Sequence, residues 1–169
     1  MRTGESARQQ EIVRVARDLL TAEGLEALTL GRIAKQLGIK PPSIYKHFRG
    51  GKREIEALLI ADGLAAHADA VADSGSLAEI AAAYRRFALD NPQLYRLMTE
   101  RPLPRDLLPE GLEARAAAPI IRAVGDPDLA RAAWAFAHGM VQLELAGRFP
   151  PDADLDAAWS KAIAAFEGG

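Results

Sequence analysis

The chain has 169 residues, long enough to bury a full hydrophobic core without disulfide or metal staples. It contains no cysteine, which excludes disulfides, thiolate metal sites, iron–sulfur clusters and cysteine nucleophiles, and fits a reducing cytoplasm. The net charge of −2 conceals a segregation, with 11 Lys and Arg against 5 Asp and Glu in residues 1–53 and 10 against 18 in the rest, the pattern of a head that meets a polyanion.

Ala and Leu abound, β-branched residues are sparse, and no stretch alternates as a half-buried strand would. The expectation is an all-α fold of about nine helices, with a three-helix head over residues 1–50 and a helical-bundle body over 51–169. The first helix is predicted from about Ser6 to Ala22, with Ile12, Ala16, Leu19 and Leu20 as its apolar stripe and Gly24 ending it. Thr29 can cap a short second helix running to Leu37, whose buried face is Leu30, Ile33, Ala34 and Leu37. Gly38 is suited to a left-handed turn, and Ile39 returns to the core. Pro41 and Pro42 fit the first turn of a third helix that continues to about Phe48.

Gly50 and Gly51 break the chain before a long helix, residues 52–72. Ser76 with Glu79 makes a capping box for a helix to about Asp90, and Asn91-Pro92 opens another that ends near Thr99. Residues 101–111 hold three prolines and read as irregular. Asp126-Pro127 starts a long helix ending around Gly147, and Pro150-Pro151 separates it from a last helix, roughly 152–166. Met1–Arg8 lack the apolar run of a secretory leader, and Ala57–Ala66, broken by Asp62, is too short to cross a bilayer. A cytoplasmic protein with no membrane partner is expected.

The informative stretch is Thr29–Phe48, TLGRIAKQLGIKPPSIYKHF. Two short helices joined at a glycine turn form the helix-turn-helix plan, in which the second helix enters the DNA major groove. Lys40, Lys46 and His47 can meet phosphates or base edges, Ser43 and Tyr45 can donate hydrogen bonds, and Pro42 can touch a thymine methyl. Ile44 and Phe48, four apart, would anchor the opposite face.

With Thr29, Leu30, Ile33, Ala34, Leu37, Gly38, Ile39, Ser43, Ile44, Tyr45, His47 and Phe48 in these places, the head resembles the TetR family of repressors over about residues 6–58. The resemblance implies backbone contacts from Thr29, Tyr45 and His47, and puts Pro42, Ser43 and Lys46 near base edges. Two departures stand out. Lys40 occupies a position that often holds a Ser or Thr cap, adding a cation beside the phosphates. The link from Phe48 to Lys52 is one residue longer than usual, so either Lys52 or the amides at that helix start could clamp phosphate. The body, with Trp134, His138 and Gly139 in WAFAHGMVQLELAGRF and with NPQLYRLM before it, resembles the Trp-His-Gly C-terminal domain of the same family.

On the penultimate helix, Trp134, His138, Val141 and Leu145 fall on one stripe, with Ala135, Gly139 and Gln142 beside it. The last helix carries Leu155, Trp159, Ala162, Ile163 and Phe166. A homodimer interface is expected from Gly139, Gln142, Leu155, Trp159, Ala162, Ile163 and Phe166. Phe87, Tyr95, Met98, Trp134 and His138 are candidate liners of an effector pocket, although an aromatic or Met at helical spacing is more often ordinary core. Three histidines without acidic neighbours make no metal site, and no catalytic constellation or cofactor loop is visible. The expected function is a homodimeric, ligand-released repressor that binds an inverted-repeat operator in double-stranded DNA. The alternatives are a helical-bundle enzyme or small-molecule carrier with a merely structural head, and a ligand-free architectural protein or activator.

Overall fold

A computed structural model describes residues 6–167, so the outer ends of both expected domains, residues 1–5 and 168–169, lie outside the described residues. Among these residues eight α-helices and a six-residue 3₁₀ segment, Pro41–Lys46, make nine helical elements. Two three-residue 3₁₀ turns, Leu25–Ala27 and Arg105–Leu107, complete the list. The chain divides into two compact units, one formed by residues 1–63 and 93–110, the other by 64–92 and 111–169.

The first unit is organised by α1 (Ala7–Glu23) and α2 (Leu30–Gln36). Ser6 caps α1 in a reciprocal box with Gln9: its hydroxyl accepts from Gln9 N–H, and Gln9 Oε1 accepts from Ser6 N–H. Gly24 ends the helix at φ 83°, a region that L side chains rarely adopt. Ile12, Ala16, Leu19, Leu20, Leu28, Ile33 and Ala34 are essentially inaccessible and form the head's core. Each large side chain among them contributes about 1.5–3 kcal/mol by leaving water.

The long helix α3 (Lys52–Ala70) begins in this unit, as do α5 (Pro92–Thr99) and the segment after it, apart from Pro92. Gly63 lets α3 and α5 approach closely: a Cβ there would lie 2.5 Å from Met98 Sδ and 3.3 Å from Leu94 Cδ1. Arg101 pairs with Glu56 at 2.8 Å, Arg53 with Asp106 at 2.5 Å, and Arg17 with Asp62, tying the segment and helices together on their exposed side.

The second unit holds α4 (Leu77–Asp90), α6 (Leu112–Val124), α7 (Pro127–Leu145) and α8 (Leu155–Glu167). Ser76 caps α4 as expected, but Glu79 accepts from Gly75 N–H rather than from the cap itself. The helix α6 has no counterpart in the sequence expectation. Its interior Pro119 removes one amide donor, and that proline is buried. Asp126 caps α7 by accepting from the amides of Asp128 and Leu129. The last helix starts at Leu155, later than expected, because Asp154 accepts from Ala157 N–H and so acts as its cap.

A charged knot ties α4, α7 and α8 together. Arg85 meets the Glu144 carboxylate at 2.9 Å, pairs with Asp156, and lies 5.7 Å from the Trp159 ring centroid. Trp159 Nε1–H donates to Glu144 Oε1 at 2.7 Å. Burial is the largest influence on Arg85 and opposes its charge, but hydrogen bonds to Asp156 and Glu144 outweigh it and raise its pKa.

Candidate nucleic-acid interface

The recognition segment is a 3₁₀ turn and not the α-helix expected through Phe48. Pro41 and Pro42 have no amide hydrogen, and the first available donor, Ser43 N–H, closes on Lys40 O at 2.9 Å in the i→i+3 pattern. The segment ends as His47 and Phe48 amides both donate to Ile44 O at 2.9 Å. Its rear is pinned by Ile44 and Phe48, 0% and 1% exposed. Its front carries Tyr45, 51% exposed, flanked by exposed Pro42 and Lys46 and half-buried Ser43 and His47. This division follows from the spacing of Ile44 and Phe48: once those two are buried, the residues between them face out.

α2 meets the segment across the glycine turn. Gly38 sits at φ 64°, and Ile39 N–H donates to Ala34 O at 3.0 Å, closing the end of α2. Ile39 is only partly buried. Thr29 caps α2 by accepting from Arg32 N–H at 3.3 Å, which leaves its hydroxyl hydrogen free to point outward.

Pairing decides which cations of the head are electrostatically available. Arg8, Arg14, Arg17 and Arg32 are held by Glu11, Asp18, Asp62 and Glu23. Lys35, Lys40, Lys46 and Arg49 make no ion pair among the described residues, and all four are exposed. Lys40, Lys46 and Arg49 lie on or next to the recognition segment and Lys35 on α2, so among the described residues most of the head's uncompensated positive charge is at that segment. Arg49 was missed by sequence reasoning, which passed from His47 to Lys52 and treated the residue only as part of the link; the signal was a basic residue directly after the anchor. Lys52, an expected phosphate clamp, is partly buried and 3.5 Å from Glu56 Oε1, so a neighbouring carboxylate already meets its charge. Gln9 was missed as well: its Nε2–H donates to His47 O at 3.0 Å, tying the start of α1 to the end of the segment.

The expected pocket residues do not converge. Tyr95 is 2% exposed and Met98 packs toward Gly63, both in the first unit. Phe87, Trp134 and His138 belong to the second unit. Phe87 lies 5.6 Å from the ring of His67, which is also edge-on to Tyr84 at 5.3 Å. His67 was not singled out by the sequence, yet its Nδ1 is buried with no hydrogen-bond partner, and burial holds its pKa below the ordinary value. Trp134 is half exposed and stacks on His138, so it does not share a buried stripe with Val141; the buried line of α7 is Ala130, Ala133, Ala137 and Val141. A cavity of about 310 Å³ lies in the first unit, lined by Arg53, Glu56, Ile60, Leu97, Arg101 and residues 102–104, and none of the expected liners reaches it.

The expected interface residues separate into two groups. Trp159 and Ile163 are 6% and 4% exposed and are packed into the second unit. Trp159 meets Phe136, Arg85 and Glu144, so replacing it would disturb the bundle itself. Gly139, Gln142, Leu155, Ala162 and Phe166 are partly buried, and Phe166 leans on Phe136 at 5.9 Å. A Cβ on Gly139 would meet nothing within 4 Å, so that face of α7 is open. Leu143, on the same side of the helix, is 44% exposed.

A core-pinned turn that presents an exposed tyrosine and unpaired cations after a short capped helix is the reading head of a helix-turn-helix transcriptional regulator. Residues 12–61 match the model of bacterial regulatory proteins of the tetR family, and residues 77–166 match that of the tetracyclin repressor-like C-terminal domain. An uncharacterised helix-turn-helix-type transcriptional regulator of Mycobacterium tuberculosis is 30% identical over 95% of this chain and 80% of its own length. The class C tetracycline repressor of Escherichia coli is 36% identical over 30% of this chain and 23% of its own. A crystal structure described as that of a regulatory protein superposes with a TM-score of 0.75 at 29% identity, covering 95% of both chains. The Q116A form of TetR from Acinetobacter baumannii, crystallised with minocycline, shares the fold at a TM-score of 0.67 and 23% identity, over 97% of this chain and 95% of that one. The chain belongs to the TetR family, whose members are DNA-binding transcriptional regulators and not enzymes. No helix among the described residues is long and apolar enough to cross a membrane.

Proposed function

We propose that this regulator is a ligand-released repressor that binds an inverted-repeat operator as a homodimer, with residues 1–50 reading DNA and 51–169 providing dimerisation and ligand sensing. The observation that carries the reading is the outward face of the recognition segment, where Tyr45 and the unpaired Lys40, Lys46 and Arg49 surround a turn pinned by Ile44 and Phe48. Pro42, Ser43 and Lys46 face base edges, while Thr29, Tyr45, His47 and Lys40 meet phosphates. Lys52 joins them once phosphate competes successfully with Glu56.

The second protomer packs on the outer face of α7, where the open side of Gly139 and the exposed Leu143 supply apolar surface. Two heads related by a twofold axis then engage half-sites spaced roughly 34–36 Å apart. An effector bound in the body beside His67 and Phe87 favours a state in which the heads no longer match that spacing. The Trp-His-Gly character of the body is part of the same proposal.

The test is selection of duplexes from a random-sequence pool by the full-length protein, followed by footprinting and ultracentrifugation of the complex. An inverted repeat occupied by two chains is the expected result. Selected sites without symmetry, bound by one chain, would overturn the dimeric operator reading.

A further inference from the structure

The longer link between the recognition segment and α3 contains a contact that bears on Tyr45. Gly51 has φ +58°, and a Cβ built on it would fall 2.9 Å from Tyr45 Cε1 and 3.5 Å from Leu30 Cδ1. Two unbonded carbons do not approach so closely, so the edge of the tyrosine ring occupies space that a glycine alone leaves open. The backbone against which the ring rests is itself held. Gly51 N–H donates to Phe48 O at 2.9 Å, Gly51 O accepts from Ile55 N–H, and Gly50 N–H donates to the Glu54 carboxylate at 2.9 Å. Phe48 and Ile55, on either side of the link, are buried. Half of Tyr45 is exposed, and its hydroxyl makes no hydrogen bond among the described residues. The side chain is therefore braced along one edge while its polar end is left unsatisfied.

We infer that Gly51 is a positioning residue for DNA recognition, its missing side chain seating the Tyr45 ring in the rotamer from which the hydroxyl reaches the phosphate backbone. The inference rests on the proposed phosphate contact of Tyr45. Displacing a half-exposed ring disturbs little of the core, whereas a hydrogen bond to phosphate is lost when its donor moves by several tenths of an ångström. Gly51 therefore acts on affinity far more than on stability.

The experiment compares Gly51→Ala, Gly51→Asn, Tyr45→Ala and the double variants with wild type on one duplex selected by the wild-type protein from a random pool. Asn tolerates a left-handed backbone, so Gly51→Asn keeps the intruding Cβ while relieving most of the strain that Gly51→Ala adds. Gly51→Asn is expected to weaken binding about three- to tenfold, the worth of one hydrogen bond, with its melting temperature near that of wild type. In the Tyr45→Ala background the same substitution is expected to leave affinity unchanged, because there is no ring to displace. A folded Gly51→Asn protein that binds like wild type overturns the inference. Equal losses in both backgrounds overturn it too, since they assign Gly51 a purely backbone role. Wild-type binding by Tyr45→Ala sinks the phosphate contact itself, an outcome that the single variant reports independently of Gly51.

Discussion

Replacing Arg85 with Met removes the cation from the knot that joins α4, α7 and α8 while keeping most of the side chain's length. The Glu144 side chain is 7% exposed and is left with one donor, Trp159 Nε1–H, in place of two partners. Breaking a fully buried pair costs about 3–5 kcal/mol. Arg85 is 22% exposed on its side chain, so water reaches part of the vacated space and the cost falls to about 2–3 kcal/mol. Asp156 is 86% exposed and adds next to nothing. For a chain of this length the loss corresponds to a drop of about 5–10 °C in Tm. Adding Glu144→Gln should recover part of it, because the amide oxygen still accepts from Trp159 and no charge is stranded. Urea titration followed by tryptophan fluorescence, at one protein concentration, measures all three proteins. A loss under about 0.5 kcal/mol in Arg85→Met, or a double variant less stable than the single one, would refute the reasoning.

Substituting Ala for Lys40 or Arg49 should reduce the slope of log K against log salt by about 0.9 for each phosphate contact removed, whereas Arg17→Ala, whose cation is held by Asp62, should leave it unchanged; filter binding across a salt series distinguishes them. Burial holds the His67 pKa below its ordinary value, so the unfolded chain takes up a proton that the folded chain resists. Stability should be complete above about pH 6.5 and decline as pH falls further, and His67→Phe should flatten that decline in urea midpoints measured from pH 7.5 to 5. His138, also depressed by burial, contributes a residual slope of the same sign. Leu143→Asp should yield folded monomers in sedimentation velocity, because the site is exposed on the single chain; an intact dimer would place the interface elsewhere.

Much of the head was legible because its signals are local. Ser6, Gly24, Thr29 and Gly38 each punctuate the chain through their own backbone chemistry, and Ile44 and Phe48 declare a buried side by spacing alone. The 3₁₀ form of the recognition segment was not legible, because Pro41-Pro42 fit the first turn of an α-helix equally well and only the fold shows Ser43 N–H closing on Lys40 O. The body was harder to read. Its long helix is apolar nearly all round, and Trp134 is one turn from Ala130 and Ala137, so periodicity could not say that its ring stands half exposed at the edge of the buried alanine line. Trp159 looked like interface surface because its partners, Arg85 and Glu144, are 74 and 15 residues away and only tertiary contact brings them together. Which head cations are free depends likewise on distant carboxylates such as Asp62, and α6 was hidden by a proline that normally argues against a helix.

The paired prolines at the start of the recognition segment also shape how this regulator could change over time. A reading element that is already stiff in the free protein loses little disorder when it docks, so its calorimetric signature should lack the large heat-capacity change of coupled folding. Base preference can then drift by exchanging single outward side chains at 43 and 46, with no need to rebuild the turn that carries them.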